Sequence, residues 1–248
     1  MERDVRHDYE PKRLLERIGH EGPDLAAVSS SRSVVAGERA LPGIVEDVLN
    51  FALTLEYLEA EFYTMGVGAP GLLAGTPREV FDLIRKHEVA HVALLQGVLG
   101  SRAVAKPTFD FTAGGVFADV FSNAKTFMAL AQAFEDTGVR AYKGQAANLM
   151  GRKDILETAL RVHSVEARHA AQIRRLRGQK GWITGSSRGD LPEAVQAIYD
   201  GEANTFQILT ATLGGGLGGS PGDSEAFDET LTKGQVLRIV RPFIRSNA

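Results

Sequence analysis

The sequence predicts an all-α fold: a four-helix bundle with one long crossover connection between helices 2 and 3, plus an irregular C-terminal extension with short helices. Three observations predict it. Apolar residues recur at three- and four-residue steps in four separate segments, the mark of helices with one buried face. The first and second segments, and the third and fourth, are joined by short loops, whereas about twenty residues join the second to the third; one long crossover is a recurrent bundle connection. Finally, one constellation of Glu, Tyr and His occurs twice in the same order.

Residues 1–40 are polar and charge-rich and end in a Ser-Ser-Ser-Arg-Ser run, which reads as an N-terminal arm reaching for a partner subunit. The bundle is expected over 41–180 and the extension over 181–248. Pro42-Gly43 opens the first helix, Ile44 to Met65, whose stripe is Val48, Leu49, Ala52, Glu56, Glu59, Ala60 and Tyr63. Gly66, Gly68, Pro70 and Gly71 close it. Thr76-Pro77-Arg78-Glu79 reads as a capping box for the second helix, with an inward stripe of Val80, Ile84, Glu88, His91, Leu95 and Val98 and a stop at Gly100.

Pro107, Gly114 and Gly115 interrupt the connection that follows, up to Phe121. The third helix is expected from Asn123 to Leu149, with Met128, Ala131, Glu135, Gly138 and Tyr142 in register, and Gly151 in the turn after it. Asp154, with Glu157 three residues on, marks the start of the fourth helix, which carries Val162, Glu166, His169, Ile173 and Leu176 up to Gly178. In the extension, Leu191 to Tyr199 reads as a short helix and Leu213 to Gly222 as a Gly-dense loop. Thr232 to Arg241 reads as a last helix with a Thr-x-x-Gln cap, ended by Pro242. The extension is expected to pack on the bundle.

Composition excludes several classes. With 248 residues, 44% of them hydrophobic, the chain can bury a sizeable core. A net charge of −3 and no Lys/Arg-rich block argue against nucleic acid. The absence of cysteine excludes disulfides, thiolate metal sites and iron–sulfur clusters. No apolar run has the length of a membrane span. The charged N-terminus lacks the apolar core of a secretory leader, so a cytoplasmic location is expected as written, or an exported one if a leader was removed.

The repeated constellation carries the chemistry. Glu56 is followed by Tyr63 and then by Glu88-Val89-Ala90-His91; Glu135 is followed by Tyr142 and then by Glu166-Ala167-Arg168-His169. Each Glu precedes its Tyr by seven residues, and the two Glu-to-Glu intervals are 32 and 31. Glu and His three apart share a helix face. Two such pairs on different helices, with one Glu from each remaining helix, form the six-residue shell of the di-iron and di-manganese carboxylate bundles. The expected ligands are therefore Glu56, Glu88, His91, Glu135, Glu166 and His169, holding two Fe or two Mn ions per chain. Oxygen-rich ligation with two imidazoles suits those metals better than zinc. Both Glu-x-x-His pairs lie on apolar stripes, and burying four carboxylates without a cation would be costly. Glu59 competes with Glu56 for the helix 1 position, and Asp136 with Glu135; the repeated interval to tyrosine favours Glu56 and Glu135. Tyr63 and Tyr142 are expected to hydrogen-bond the ligands or fill the core rather than to act in redox. His163 is expected at a rim, and His87, next to Glu88 in sequence, should point away.

The segments LNFALTLEYLEAEFY, HEVAHVALL, LAQAFEDTGVRAY and VEARHAAQIR, with the tail AFDETLTKGQVLRIVRPFI, resemble the ferritin-like superfamily, and within it the family that includes desiccation-associated proteins. The resemblance covers about Ile44 to Ile244. It implies redox chemistry on peroxide or dioxygen, ferroxidase-like or manganese-catalase-like, in oxidative or desiccation stress. The alternative it leaves is a non-catalytic stress-protective or metal-sequestering protein. The only partners expected are that small oxidant and a second copy of the chain in a homodimer. Without cysteine a rubredoxin module for electron delivery is excluded, and the irregular extension fits a storage cage poorly.

Overall fold

The computed structural model describes residues 41–205 and 224–245; the N-terminal arm and the Gly-dense loop predicted at Leu213–Gly222 lie outside them. Four long helices dominate: α1 (Gly43–Gly68), α2 (Gly75–Leu99), α3 (Ala124–Gln145) and α4 (Lys153–Leu176). A short α5 (Lys233–Val240) and 3-10 turns at Gly100–Arg102, Ala146–Leu149, Glu193–Ile198 and Arg241–Phe243 follow among the described residues. The described residues contain no strand, only an isolated bridge between Phe109 and Ile244. None of their helices is long and apolar enough to cross a membrane.

Packing follows the loop lengths. α1 packs chiefly on α2 and α3 chiefly on α4, and contacts of α1 with α3 and of α2 with α4 close the bundle. The crossover can be followed along α1. The Asn50 amide donates to the Arg102 carbonyl (3.0 Å) while its oxygen accepts from the Val104 N–H (2.8 Å). Tyr57 then meets the Val104 carbonyl (3.4 Å), and Lys106 pairs with Glu61 (2.6 Å). Chain 102–106 thus advances beside α1 from residue 50 to residue 61. It returns the end of α2 to the start of α3, so that those two helices run parallel.

Two helix starts differ from the sequence reading. α2 begins at Gly75, in a left-handed conformation (φ 56°), with Ala74 in the cap position, so the Thr76–Glu79 box is not what caps it. α4 begins at Lys153, and Asp154 grips Arg152 through two bonds (3.0 and 2.7 Å) instead of capping. Asn123 caps α3 by accepting from the Lys125 N–H (3.0 Å). The predicted Thr232 cap forms as a full capping box with Gln235. The segment predicted as a helix from Leu191 to Tyr199 is the 3-10 turn Glu193–Ile198. Val98, placed on the inward stripe, is 39% exposed.

Beyond the metal-ligand layer, the closed ends of α1 and α2 meet the start of α3 around an aromatic cluster. Phe62 stacks on Phe127 (centroids 4.7 Å apart), and Phe81 and Phe134 meet these rings edge-on. Gly66 lets this happen: a Cβ there would collide with the Phe127 ring. Ala in a helix gains about 0.5–1 kcal/mol over Gly, while overpacking a buried contact costs about 1–3 kcal/mol. Gly66→Ala is therefore expected to destabilise by about 1–2 kcal/mol, read as a lower urea midpoint at unchanged slope.

The C-terminal segments attach to α3 and to the crossover. The Leu231 N–H donates to the Arg140 carbonyl (3.2 Å), close against Gly144, where any Cβ would strike the Leu231 carbonyl. At the far end, Asp110 N–H donates to Phe243 (2.8 Å) and Arg245 N–H to Thr108 (2.9 Å).

Candidate metal centre

Midway along the bundle, each long helix turns one or two of the repeated residues inward. Glu56, Glu88, Glu135 and Glu166 have no solvent exposure, and His91 and His169 are 8% and 5% exposed. Their ligating atoms fall into two clusters, Glu56–Glu88–His91–Glu166 and Glu88–Glu135–Glu166–His169, each within 4.8 Å. Glu88 and Glu166 belong to both.

The imidazoles face the carboxylates through Nδ1. His91 Nδ1 lies 3.2, 3.0 and 3.1 Å from Glu56, Glu88 and Glu166. His169 Nδ1 lies 2.8 and 3.3 Å from Glu88 and Glu135. Yet Glu88 Oε1, Glu135 Oε2, both Glu166 oxygens and His169 Nδ1 are buried and make no hydrogen bond. Buried polar atoms rarely go without a partner, and five orphans converging on one space are what cations would satisfy. The donor set therefore fits metal ions.

The two tyrosines hold the outer oxygens. Tyr63 donates to Glu135 Oε1 (2.5 Å), and Tyr142 donates to Glu56 Oε1. Each tyrosine reaches from one half of the repeat to the glutamate of the other half. Both hydrogen bonds end on glutamates of the two clusters.

The family model for the ferritin-like domain matches residues 45–179. The chain belongs to the ferritin-like family. The match spans all four long helices and every clustered ligand, and stops before the C-terminal segments that clamp α3. A search of the curated proteins gives no match.

Three sequence readings change in this ferritin-like bundle. Glu59 does not compete with Glu56: both are buried, and the Glu59 carboxylate lies against Gly138, 3.4 Å from where a Cβ would stand. It is a fifth carboxylate facing the cluster. Its counterpart three residues after Glu135 is Gly138, whose missing side chain makes the room. His87 does not point away. Its Nδ1 hydrogen-bonds His169 Nε2 (2.9 Å), with the rings stacked 5.2 Å apart. Proximity to Glu88 in sequence misled, whereas its four-residue spacing to His91 places it on the same stripe. Asp136 is no ligand: it is buried in an ion pair with Arg174 (2.5 Å) and accepts from Tyr199 (2.6 Å). His163 stands apart from both clusters, its Nε2 buried without a hydrogen bond.

Five buried carboxylates face two imidazoles, and proton affinities respond. Burial, reinforced by neighbouring carboxylates, pushes Glu56, Glu59 and Glu135 well above the usual carboxylate range. Burial alone would lower both histidines, but the carboxylates overcome it: His91 is raised strongly, and His169 is pushed up to about 12. Glu166 goes the other way, down to about 2, because both imidazoles outweigh its burial. Without cations, protons supply the positive charge.

A metal ion bound by these residues would have to displace those protons. Uptake is expected to release them, so affinity rises with pH by about tenfold per unit for each proton released. Calorimetry near neutral pH in buffers of different ionisation enthalpy should show the release directly. The sign follows from the raised histidines, which would have to give up protons to bind an ion.

Proposed function

We propose that the chain is a di-metal carboxylate protein, holding two Fe or two Mn ions and carrying out redox chemistry on peroxide or dioxygen, as a ferroxidase or a catalase does. One observation carries this reading: two ligand clusters overlap in Glu88 and Glu166. Sharing two carboxylates brings two ions close enough to act as a pair. Glutamate oxygens with one imidazole per cluster suit iron or manganese. When bound, such a pair would supply two one-electron changes at a single site.

The chain's own residues supply the rest. His91 and Glu56 complete one cluster, and His169 and Glu135 the other. Tyr63 and Tyr142 fix the rotation of Glu135 and Glu56 by hydrogen bonds. His87 Nδ1 engages His169 Nε2, which leaves His169 Nδ1 turned to the cluster and free to ligate, the usual role of an outer partner. Glu59 faces the cluster, its proton affinity raised by burial and by the neighbouring carboxylates. A link to desiccation stress rests on the resemblance of the quoted segments.

The test is elemental analysis of freshly purified protein and of protein reconstituted anaerobically, followed by assays of Fe(II) oxidation and peroxide consumption. About two ions per chain with turnover of either substrate supports the reading. Full loading without turnover would leave the metals a structural role and the protein a non-catalytic one. No uptake at all would overturn the centre itself.

A further inference from the structure

The two ends of the bundle core, equivalent under the sequence repeat, are filled differently. On the Tyr63 side of the ligands stand Phe62, Phe81, Phe127 and Phe134, all buried. Relative to the repeated glutamates these residues are Glu56 plus six, Glu88 minus seven, Glu135 minus eight and Glu135 minus one. The same offsets in the other half are Ala141, Ala159, Val48 and Leu55. Where one end of the bundle has four phenylalanines, the other has two alanines, a valine and a leucine. The result is a cavity of about 220 Å³ between all four helices, with those four residues in its wall.

That space is large and shaped. An apolar cavity of about 150 Å³ suffices to bind benzene. This one runs along α1 from Val48 to Leu55, about 10 Å at 1.5 Å per residue. Its inner end lies one helical turn from the ligands: Ala52, Leu95 and Val162 line it, each four residues from Glu56, His91 or Glu166. Tyr142, which donates to Glu56, is part of the same wall. Polar groups gather at the outer end, where Gln145, Arg152, Asp154 and Thr158 line the cavity where α3 ends and α4 begins. Arg152 is already neutralised by Asp154, so the outer end suits a polar head without demanding a charged one. Leu94 and Val98, 38% and 39% exposed, add apolar surface beside it.

We propose that this hollow end is a binding site for a medium-length alkyl chain with a polar head, its tail directed at the metal-ligand layer. Close-packed interiors leave few voids larger than a water molecule, and the repeat shows that the fold can fill the equivalent space. That the tail would be presented to a metal pair rests on the function proposed above; binding of the chain does not.

The test uses 1-octanol as the probe, titrated calorimetrically into full-length protein, with metal content measured on the same samples. Saturable binding of one molecule per chain is expected, weakened at least tenfold in Ala159→Phe, which restores the ring that Phe81 provides in the other half. Ala159→Leu, a smaller filling, should weaken binding less and guards against a misfolded Phe variant. Unchanged metal content in both variants would show that the pocket alone was altered. Absence of saturable binding to the wild type, or equal binding to both filled variants, overturns the proposal. A wild type that binds octanol but takes up no metal would overturn the metal reading and leave the pocket standing.

Discussion

Glu88→Gln combined with Glu166→Gln is expected to reduce bound Fe and Mn to background, whereas a change at either outer glutamate, Glu56 or Glu135, should leave one cluster's donors intact. The distinction follows from the shared positions: Glu88 and Glu166 stand in both four-residue clusters, and Glu56 and Glu135 in one each. Glutamine keeps the volume and removes the charge, so no cavity confuses the result. The effect on stability depends on whether metal is bound. Metal bound at a thousandfold excess over its dissociation constant stabilises by about 4 kcal/mol, worth roughly 10 °C for a chain of this size. A chelator should therefore lower the melting temperature of loaded wild type by about that amount and leave the double variant unmoved. In the metal-free state the two should differ little, because relief of the repulsion on Glu56 and Glu135 is set against loss of the pairing that both imidazoles make with Glu166. A variant that keeps its metal, or a wild type indifferent to chelation, would show that the ligands lie elsewhere.

The layer holding these residues was readable in the sequence because helix geometry converts spacing into position. Glu-x-x-His on an apolar stripe can face only inward, and a repeat with equal intervals brings two such stripes to one level. What escaped was set by the neighbours a helix meets. Glu59 and Glu56 looked like rivals because one stripe seemed to need one ligand; the room for both comes from Gly138, on a helix 79 residues later. His87 lies at the half-buried edge of the α2 stripe, and only the packing of α4 brings His169 within its reach. Asp136 could not be told from Glu135 by periodicity, since adjacent positions on α3 are both buried; it faces Arg174 and Tyr199 instead. The helix caps were misplaced by two residues, Ala74 and Arg152 standing where Thr76 and Asp154 were expected. Packing of the extension on the bundle was expected, but its points of attachment had no sequence signal, because they are backbone contacts and the reach of one arginine in the middle of α3.

That arginine is the subject of the second large effect. Arg140→Ala is expected to destabilise the protein by about 3–5 kcal/mol, the cost of leaving a buried charge without its partner, and to lower the melting temperature by roughly 10 °C. Arg140 is 1% exposed, and its Nε lies 2.7 Å from Glu202, itself 1% exposed. The same guanidinium donates to the carbonyls of Ile198, Asp200 (3.0 Å) and Glu229 (2.9 Å), tying two C-terminal segments to α3 at once. Burial already pushes Glu202 up to about 7 despite Arg140, and its Oε2 has no hydrogen bond. A glutamate raised in the folded state stabilises it as pH falls from about 7 towards its ordinary value of 4.5, and that contribution is lost as pH rises through 7. Without Arg140 the rise should be larger, so the variant's deficit should widen from pH 6 to pH 9. Thermal melts across that range, with limited proteolysis of residues 181–245, read both consequences. Arg140→Met with Glu202→Leu removes the charges together and should recover part of the loss, but not all of it, since three carbonyls still lack their donor. Full recovery would mean that the pair, and not the carbonyl clamp, holds the C-terminal segments in place; a flat pH profile in Arg140→Ala would mean that Glu202 finds another cation once Arg140 is gone.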